Sequence, residues 1–329
     1  MNIQVYYIPL LLCVLRLTPI PQNNKTSPIF IFSHGLGEDR TQGILYTSAH
    51  GHHNATLPED YYGWDRANAM CSHYPLWTKI QRFCKSTFGQ DCGSAMIKGI
   101  EDSQLNNHKK FIHGLSEGAA IVVMALASKK ISHVAACVLE CPFANIDTVF
   151  TNLPLINYIA GQSIVMKQLA HCLFYQYHPD EQQPIDVINN ISEETAILFI
   201  HSEQDELIDV AHSCVLYMVL KSQGRKNTYL LITKQGNHPN AIRSNNNAQE
   251  LVRAFWKKYG CNLSFHKLPD TTFNLDATDS EGNLIYQPSI EQVKAYLAQR
   301  KLYQFIRYAC TKSITGLGIT YLWYKAFMT

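Results

Sequence analysis

Charge of one sign is nowhere concentrated in this 329-residue sequence. Lysine and arginine number 28 against 26 aspartates and glutamates, a formal net charge of +2, and the basic residues are scattered without a stripe or tail. A nucleic-acid binder needs a basic footprint to neutralise phosphates, so that class of partner is excluded. Ten cysteines are present, but none forms a C-x-x-C pair, which removes the common redox and zinc-ribbon spacings. Cys137, Cys172 and Cys214 stand inside apolar runs, where a thiol packs as a small core residue. Cys71, Cys84 and Cys92 lie in a polar region, where pairing would require an oxidising compartment.

A comfortable membrane span is also missing. Residues 1–22 are apolar with Arg16 as the only charged side chain, yet Pro9 interrupts the run, and a spanning helix needs about 20 apolar residues. No basic residues precede the stretch and no A-x-A-like exit follows it, as a secretory signal would have. Signal, anchor and edge strand all remain open for this segment, so the location is cytoplasmic, exported or membrane-associated. Residues 313–324 carry no charge but are likewise shorter than a span; they and the N-terminal segment offer peripheral membrane contact. Metal-ligand spacing is absent too. His50, His52, His53 and His73 accompany Asp60 and Asp65, but no H-x-x-x-H or similar pattern appears, and the stretch reads as a polar surface loop.

What the chain does have is apolar periodicity. Apolar residues make up 46% and charged residues 16%, enough for a large core. Continuous apolar runs at 29–32, 134–139, 195–200 and 227–232 alternate with helical patterns, which predicts an α/β domain with a mostly parallel central sheet flanked by helices. The stretch Lys109–Ser128 passes through Phe111 and Ile112, turns at Gly114-Leu115-Ser116-Glu117-Gly118, and continues in Ala119, Ala120, Val122, Val123 and Leu126. Strand, G-x-S-x-G turn and apolar helix together predict a nucleophile elbow, with Ser116 at the tip. Two further strand ends carry complementary chemistry. The run ending near Ile200 is followed by Asp205, and the run ending near Ile232 by His238. Serine is a poor nucleophile until a histidine takes its proton and a carboxylate fixes the imidazole. Asp209 and Glu206 rival Asp205 as the acid, but both sit deeper in the helical pattern containing Val210, Cys214 and Met218. The first strand ends in the glycine-rich His34-Gly35-Leu36-Gly37. There a backbone N–H, that of Leu36, can face the N–H of Glu117 to form an oxyanion hole.

These segments resemble the α/β-hydrolase superfamily. FIFSHGLGED is similar to the H-G-x-G-E segment of monoacylglycerol-lipase-like and serine-aminopeptidase-like members, His201 to Asp205 with Leu207-Ile208 to the acid segment, and Gly236-Asn237-His238 to the histidine loop. Leu115 and Glu117 flank the serine where the family more often has G-H-S-x-G followed by glycine. The resemblance implies an α/β-hydrolase fold over 23–260 with a small helical cap at about 146–193, and a partly helical extension at 261–329 outside it. It implies a serine hydrolase with neither metal nor organic cofactor, acting on a small-molecule or lipid acyl ester. A peptidase or thioesterase of the same fold, and a non-catalytic binder that kept the fold, are the alternatives. The ester expectation comes from the aliphatic residues of 146–174, where Lys167 is the only lysine or arginine. The sequence gives no signal of oligomeric state.

Overall fold

Branched and aromatic residues crowd the strands because both faces of the sheet are covered. The computed structural model describes residues 29–33, 35, 55–56, 97, 109–128, 131, 133–152, 182–260, 298 and 305. Within them six strands form one sheet: β1 (Ile29–Ser33), β2 (Ala55–Thr56), β3 (Lys110–Leu115), β4 (Val134–Glu140), β5 (Ala196–Ser202) and β6 (Thr228–Thr233). Their order is β2-β1-β3-β4-β5-β6, and every neighbouring pair is parallel. β3, β5 and β6 are buried at each position, which is why they read as unbroken apolar runs rather than alternating ones. The short β2 lies inside the stretch expected to be a polar loop; two residues are too few to carry a period.

The helices follow the strands. α1 (Glu117–Ala127) comes directly after the serine turn, and all its residues except Met124 are buried. Small side chains around its whole circumference let it sit close against the sheet. Then come α2 (Ile146–Asn152), α3 (Pro184–Val187), a 3-10 turn (Ile188–Asn190), α4 (Ala211–Ser222) and α5 (Asn246–Lys258). α5 is amphipathic: Leu251, Val252, Phe255 and Trp256 are buried, while the Asn245 side chain accepts the Ala248 N–H and caps its start. Trp256 packs edge-on to Phe30 and Phe111 with ring centroids 5.0 and 5.7 Å away, and those two rings stack at 5.4 Å. This triplet fastens the last helix to β1 and β3 at once.

The later part of the segment expected to form a cap joins the main core, through Ile185, Val187, Ile188 and Ile191. Arg225 secures the connection into β5 by donating to the carbonyls of Ile191, Ser192 and Thr195. Residues 153–181 of the expected cap, the N-terminal segment 1–22, and the extension 261–329 apart from Ala298 and Phe305 lie outside the described residues. Among the described residues no helix is long and apolar enough to cross a membrane.

Phe111, with no exposure, should be the sharpest probe of this core. Phe111→Ala removes one ring of the triplet and should lower the unfolding free energy by about 3–5 kcal/mol. Urea denaturation measures it, and a loss below about 1 kcal/mol would contradict the packing described.

Candidate active site

A fully parallel sheet puts all its strand C-termini on one edge, and Ser116, Asp205 and His238 lie there, each just past the end of its strand. Ser116 follows β3 with φ 55° and ψ −120°, a left-handed backbone that costs a non-glycine residue about 1–3 kcal/mol. Hydrogen bonds hold it in place. The Ser116 N–H donates to the Glu140 carbonyl at 2.8 Å, and the Ser116 carbonyl accepts the N–H groups of Ala119 and Ala120. A Cβ on Gly114 would lie 2.5 Å from the Ala119 Cα. Glycine two residues before the serine is therefore a steric requirement of the turn.

His238 has farther to travel. The end of β6 is three strand spacings from β3, roughly 14 Å, so the chain beyond Thr233 must cross the ends of β5 and β4. Gly236, at φ 113°, makes the bend; a Cβ there would meet the Asn240 carbonyl at 2.7 Å. Beyond it the Ile242 N–H donates to the buried Glu140 carboxylate at 2.9 Å. Glu140 thus supports the serine turn through its backbone and the histidine loop through its side chain, and its other oxygen lies 3.5 Å from His113 Nε2 on β3.

The three side chains meet. Ser116 Oγ is 2.8 Å from His238 Nε2, and His238 Nδ1 is 2.7 Å from Asp205 Oδ2. An ionised carboxylate only accepts, so Nδ1 carries the proton and Nε2 is left to take the serine's. Asp205 has a fully covered side chain. Its Oδ1 accepts the N–H groups of Leu207 and Ile208 at 3.0 and 2.9 Å. Burial works against its charge, but the bonds from His201 and His238 outweigh that and hold the carboxyl well below the usual carboxylate range. The rival acids are elsewhere: Asp209 accepts the Ala211 N–H at the start of α4, and Glu206 is exposed. Glu117 opens α1 behind the serine, so its N–H lies at the helix end that favours negative charge. Leu36 lies outside the described residues, although Gly35 beside it is buried.

Three buried polar residues near the site escaped the sequence reading. His201 is the last residue but one of β5, with Nε2 2.8 Å from the Ile208 carbonyl, 3.3 Å from Asp205 Oδ2, and Nδ1 2.6 Å from Ser213 Oγ. His212 on α4 accepts the Ala144 N–H at Nδ1. Glu140 is the third. Their signal was a polar residue inside an apolar run, as in AILFIHS and VAACVLE. Cys141, His201 and Asp205 offer ligand atoms within 4.8 Å of one another, but the chemistry is wrong for a metal. Burial, helped by the negative charges of Glu140 and Asp205, pushes the Cys141 thiol well above its ordinary range, and His201 Nε2 needs its proton for the Ile208 carbonyl. A metal needs a thiolate and an imidazole lone pair.

The prolyl oligopeptidase family matches residues 77–260. Among solved structures, the chain is similar to an acylaminoacyl peptidase of Pyrococcus horikoshii, at 18% identity and a TM-score of 0.50, over 76% of this chain and 39% of that one. It is similar to an esterase of Pyrococcus furiosus at 16% identity and a TM-score of 0.46, over 71% and 81% of the two chains. A lipase-esterase related protein of Clostridium acetobutylicum matches at 17% identity and a TM-score of 0.40, over 70% and 96%. The chain therefore spans about two fifths of the peptidase's length. No curated protein matches it.

His212 makes stability pH-dependent. Burial, with a smaller push from His201, takes its pKa down to about 3. The unfolded chain binds a proton near pH 6.5 that the folded chain refuses until about pH 3, so stability should fall as pH drops through that window. Each unit is worth about 1.4 kcal/mol at most. His212→Asn, whose amide oxygen can replace Nδ1 as acceptor, should flatten the slope of unfolding free energy between pH 6.5 and 4. An unchanged slope would show that other groups govern it.

Proposed function

The chain belongs to the prolyl oligopeptidase family and is a serine hydrolase with the α/β-hydrolase fold, and on that premise we propose that Ser116, His238 and Asp205 form a catalytic triad acting on a carboxylic ester. The observation that carries the assignment is the unbroken line from Ser116 Oγ through the two ring nitrogens of His238 to Asp205, at 2.8 and 2.7 Å. Ser116 Oγ attacks the acyl carbon while His238 Nε2 takes its proton. Asp205 stays ionised throughout and stabilises the imidazolium. The oxyanion is stabilised by the Glu117 N–H, with the Leu36 N–H as second donor. His238 then protonates the departing alcohol, and water repeats the steps in reverse to release the carboxylic acid and restore Ser116.

An acyl ester or monoacyl lipid is the favoured substrate class, because 146–174 supplies Leu153, Ile156, Ile159, Val165 and Leu169 with Lys167 as its single lysine or arginine. Peptide-bond hydrolysis is the second reading, and the family match favours it. Both use the same acyl-enzyme; they differ in the leaving group and in what holds it.

Ser116→Ala should abolish labelling by a fluorophosphonate and lower turnover by at least about 10⁴-fold, with thermal unfolding nearly unchanged. Full labelling of that variant would refute the nucleophile. For substrate class, kcat/KM on aliphatic esters should rise by up to about fourfold per added methylene, the equivalent of 0.8 kcal/mol, until the pocket is full. Faster turnover of aminoacyl amides than of those esters would select the peptidase reading instead.

A further inference from the structure

Asp205 has more donors than it can serve equally. A carboxylate offers about four lone-pair directions. Leu207 and Ile208 N–H take Oδ1. Oδ2 faces His238 at 2.7 Å and His201 Nε2 at 3.3 Å, and the Cys141 Sγ lies within 4.8 Å of the carboxylate. His201 is fully buried, touches neither Ser116 nor open solvent, and has no step in acyl transfer. Its orientation is nevertheless fixed at both ring nitrogens. The Ile208 carbonyl can only accept, so Nε2 bears a proton, and Ser213 Oγ meets Nδ1.

We propose that His201 is a positioning residue for the reaction: its Nε2–H, directed by the Ile208 carbonyl, also reaches Asp205 Oδ2 and sets how strongly that carboxylate holds His238. The inference rests on the triad reading. A donor on Oδ2 draws negative charge away from the bond to His238 Nδ1. Without it the carboxylate attracts the imidazolium more strongly, and His238 keeps its proton to higher pH. The carboxylate also loses a restraint and can rotate away from Nδ1. The other titratable groups of the elements around the pair include Lys110 and His113 on β3, Glu117 on α1, Glu140 and Cys141 at the end of β4, His212, Cys214, Tyr217 and Lys221 on α4, and Lys234 after β6, with Glu203, Glu206 and Asp209 on the acid loop. Cys141 Sγ lies within 4.8 Å of the Asp205 carboxylate and His212 feels the charge of both Asp205 and His201; His201→Asn and His201→Gln leave all of these groups in place.

Two amides of different length isolate the contact. His201→Gln extends an NH₂ to about where Nε2 stands, while His201→Asn places its amide near Nδ1, short of Asp205. The rate of inactivation by a fluorophosphonate is followed against pH, with kcat and KM on a short-chain nitrophenyl ester and thermal unfolding measured in parallel. His201→Asn should move the acid limb of the profile to higher pH by roughly 0.5–1 unit. Its kcat should fall about tenfold or more with KM within about twofold, as expected when a restraint on the reacting groups is lost. His201→Gln should keep the wild-type limb and recover most of kcat. Identical profiles for the two amides, or losses that follow thermal stability alone, would overturn the proposal. Should His201→Asn not fold, ¹⁵N spectra of histidine-labelled wild-type protein decide: an unprotonated His201 Nε2 in the active pH range refutes it. Ser116→Ala is the control for the premise. If that variant is still labelled, the triad reading has failed; if it is silent and the His201 variants behave as wild type, only this inference has.

Discussion

The parallel sheet is the constraint from which the site follows. Strands that all run one way deliver their C-termini to one edge, and the groups that follow them must be joined across neighbouring strand ends. Ser116 needs only the first residue beyond β3. Asp205 is three residues beyond β5, and His238 five beyond β6. The lengthening loops match the distance each has to cover, because β6 is farthest from β3 in the order β3-β4-β5-β6. His238 reaches the serine only by passing over β4, and there Glu140 catches Ile242. The same residue accepts the Ser116 N–H through its carbonyl. One strand end therefore sets the relative position of Ser116 and His238.

Buried charge is tolerated at this edge because it is saturated with donors. An isolated carboxylate in an apolar interior would take up a proton instead of staying charged. Asp205 avoids that through two backbone N–H groups and two imidazoles. His212 shows the opposite outcome: its Nδ1 accepts the Ala144 N–H, and burial keeps the ring neutral. The two groups feel each other's charge, yet hydrogen-bond donors keep one ionised while burial keeps the other neutral.

That Ser116, Asp205 and His238 come together was legible because each follows an apolar strand and the three stand in the order of an α/β-hydrolase. Gly114 was legible as part of G-x-S-x-G, and its contact with Ala119 supplies the reason. Asp205 could be chosen over Asp209 because the latter begins a helical period, and it does accept a helix N–H. His201, His212 and Glu140 were not legible as partners. Glu140 and His212 bond to segments distant in sequence, Ile242 and Ala144, and His201 meets Asp205, Ile208 and Ser213 only because the chain turns back on itself after β5. Periodicity reports burial along one element and carries no information about which backbone donor another element will present. β2 was missed because two residues have no period.

The connection between β4 and β5 is fastened at both of its ends. It leaves the sheet at Cys141 and returns at Thr195, a far longer excursion than residues 203–227 between β5 and β6. Its two ends are tied to each other. The Ile146 N–H donates to Gln183 Oε1 at 2.9 Å, and the Ile185 N–H to the Ala144 carbonyl at 3.1 Å. The described residues at the two ends of the connection therefore lie side by side. Loop-closure entropy grows only slowly with length, so such a segment can change size and composition at little cost to the fold. The start of the connection is also where Cys141 Sγ lies within 4.8 Å of the Asp205 carboxylate and where the Ala144 N–H donates to His212. The connection therefore begins against two groups that surround Asp205, so a change near residues 141–146 would be felt at that carboxylate as well as in the fold.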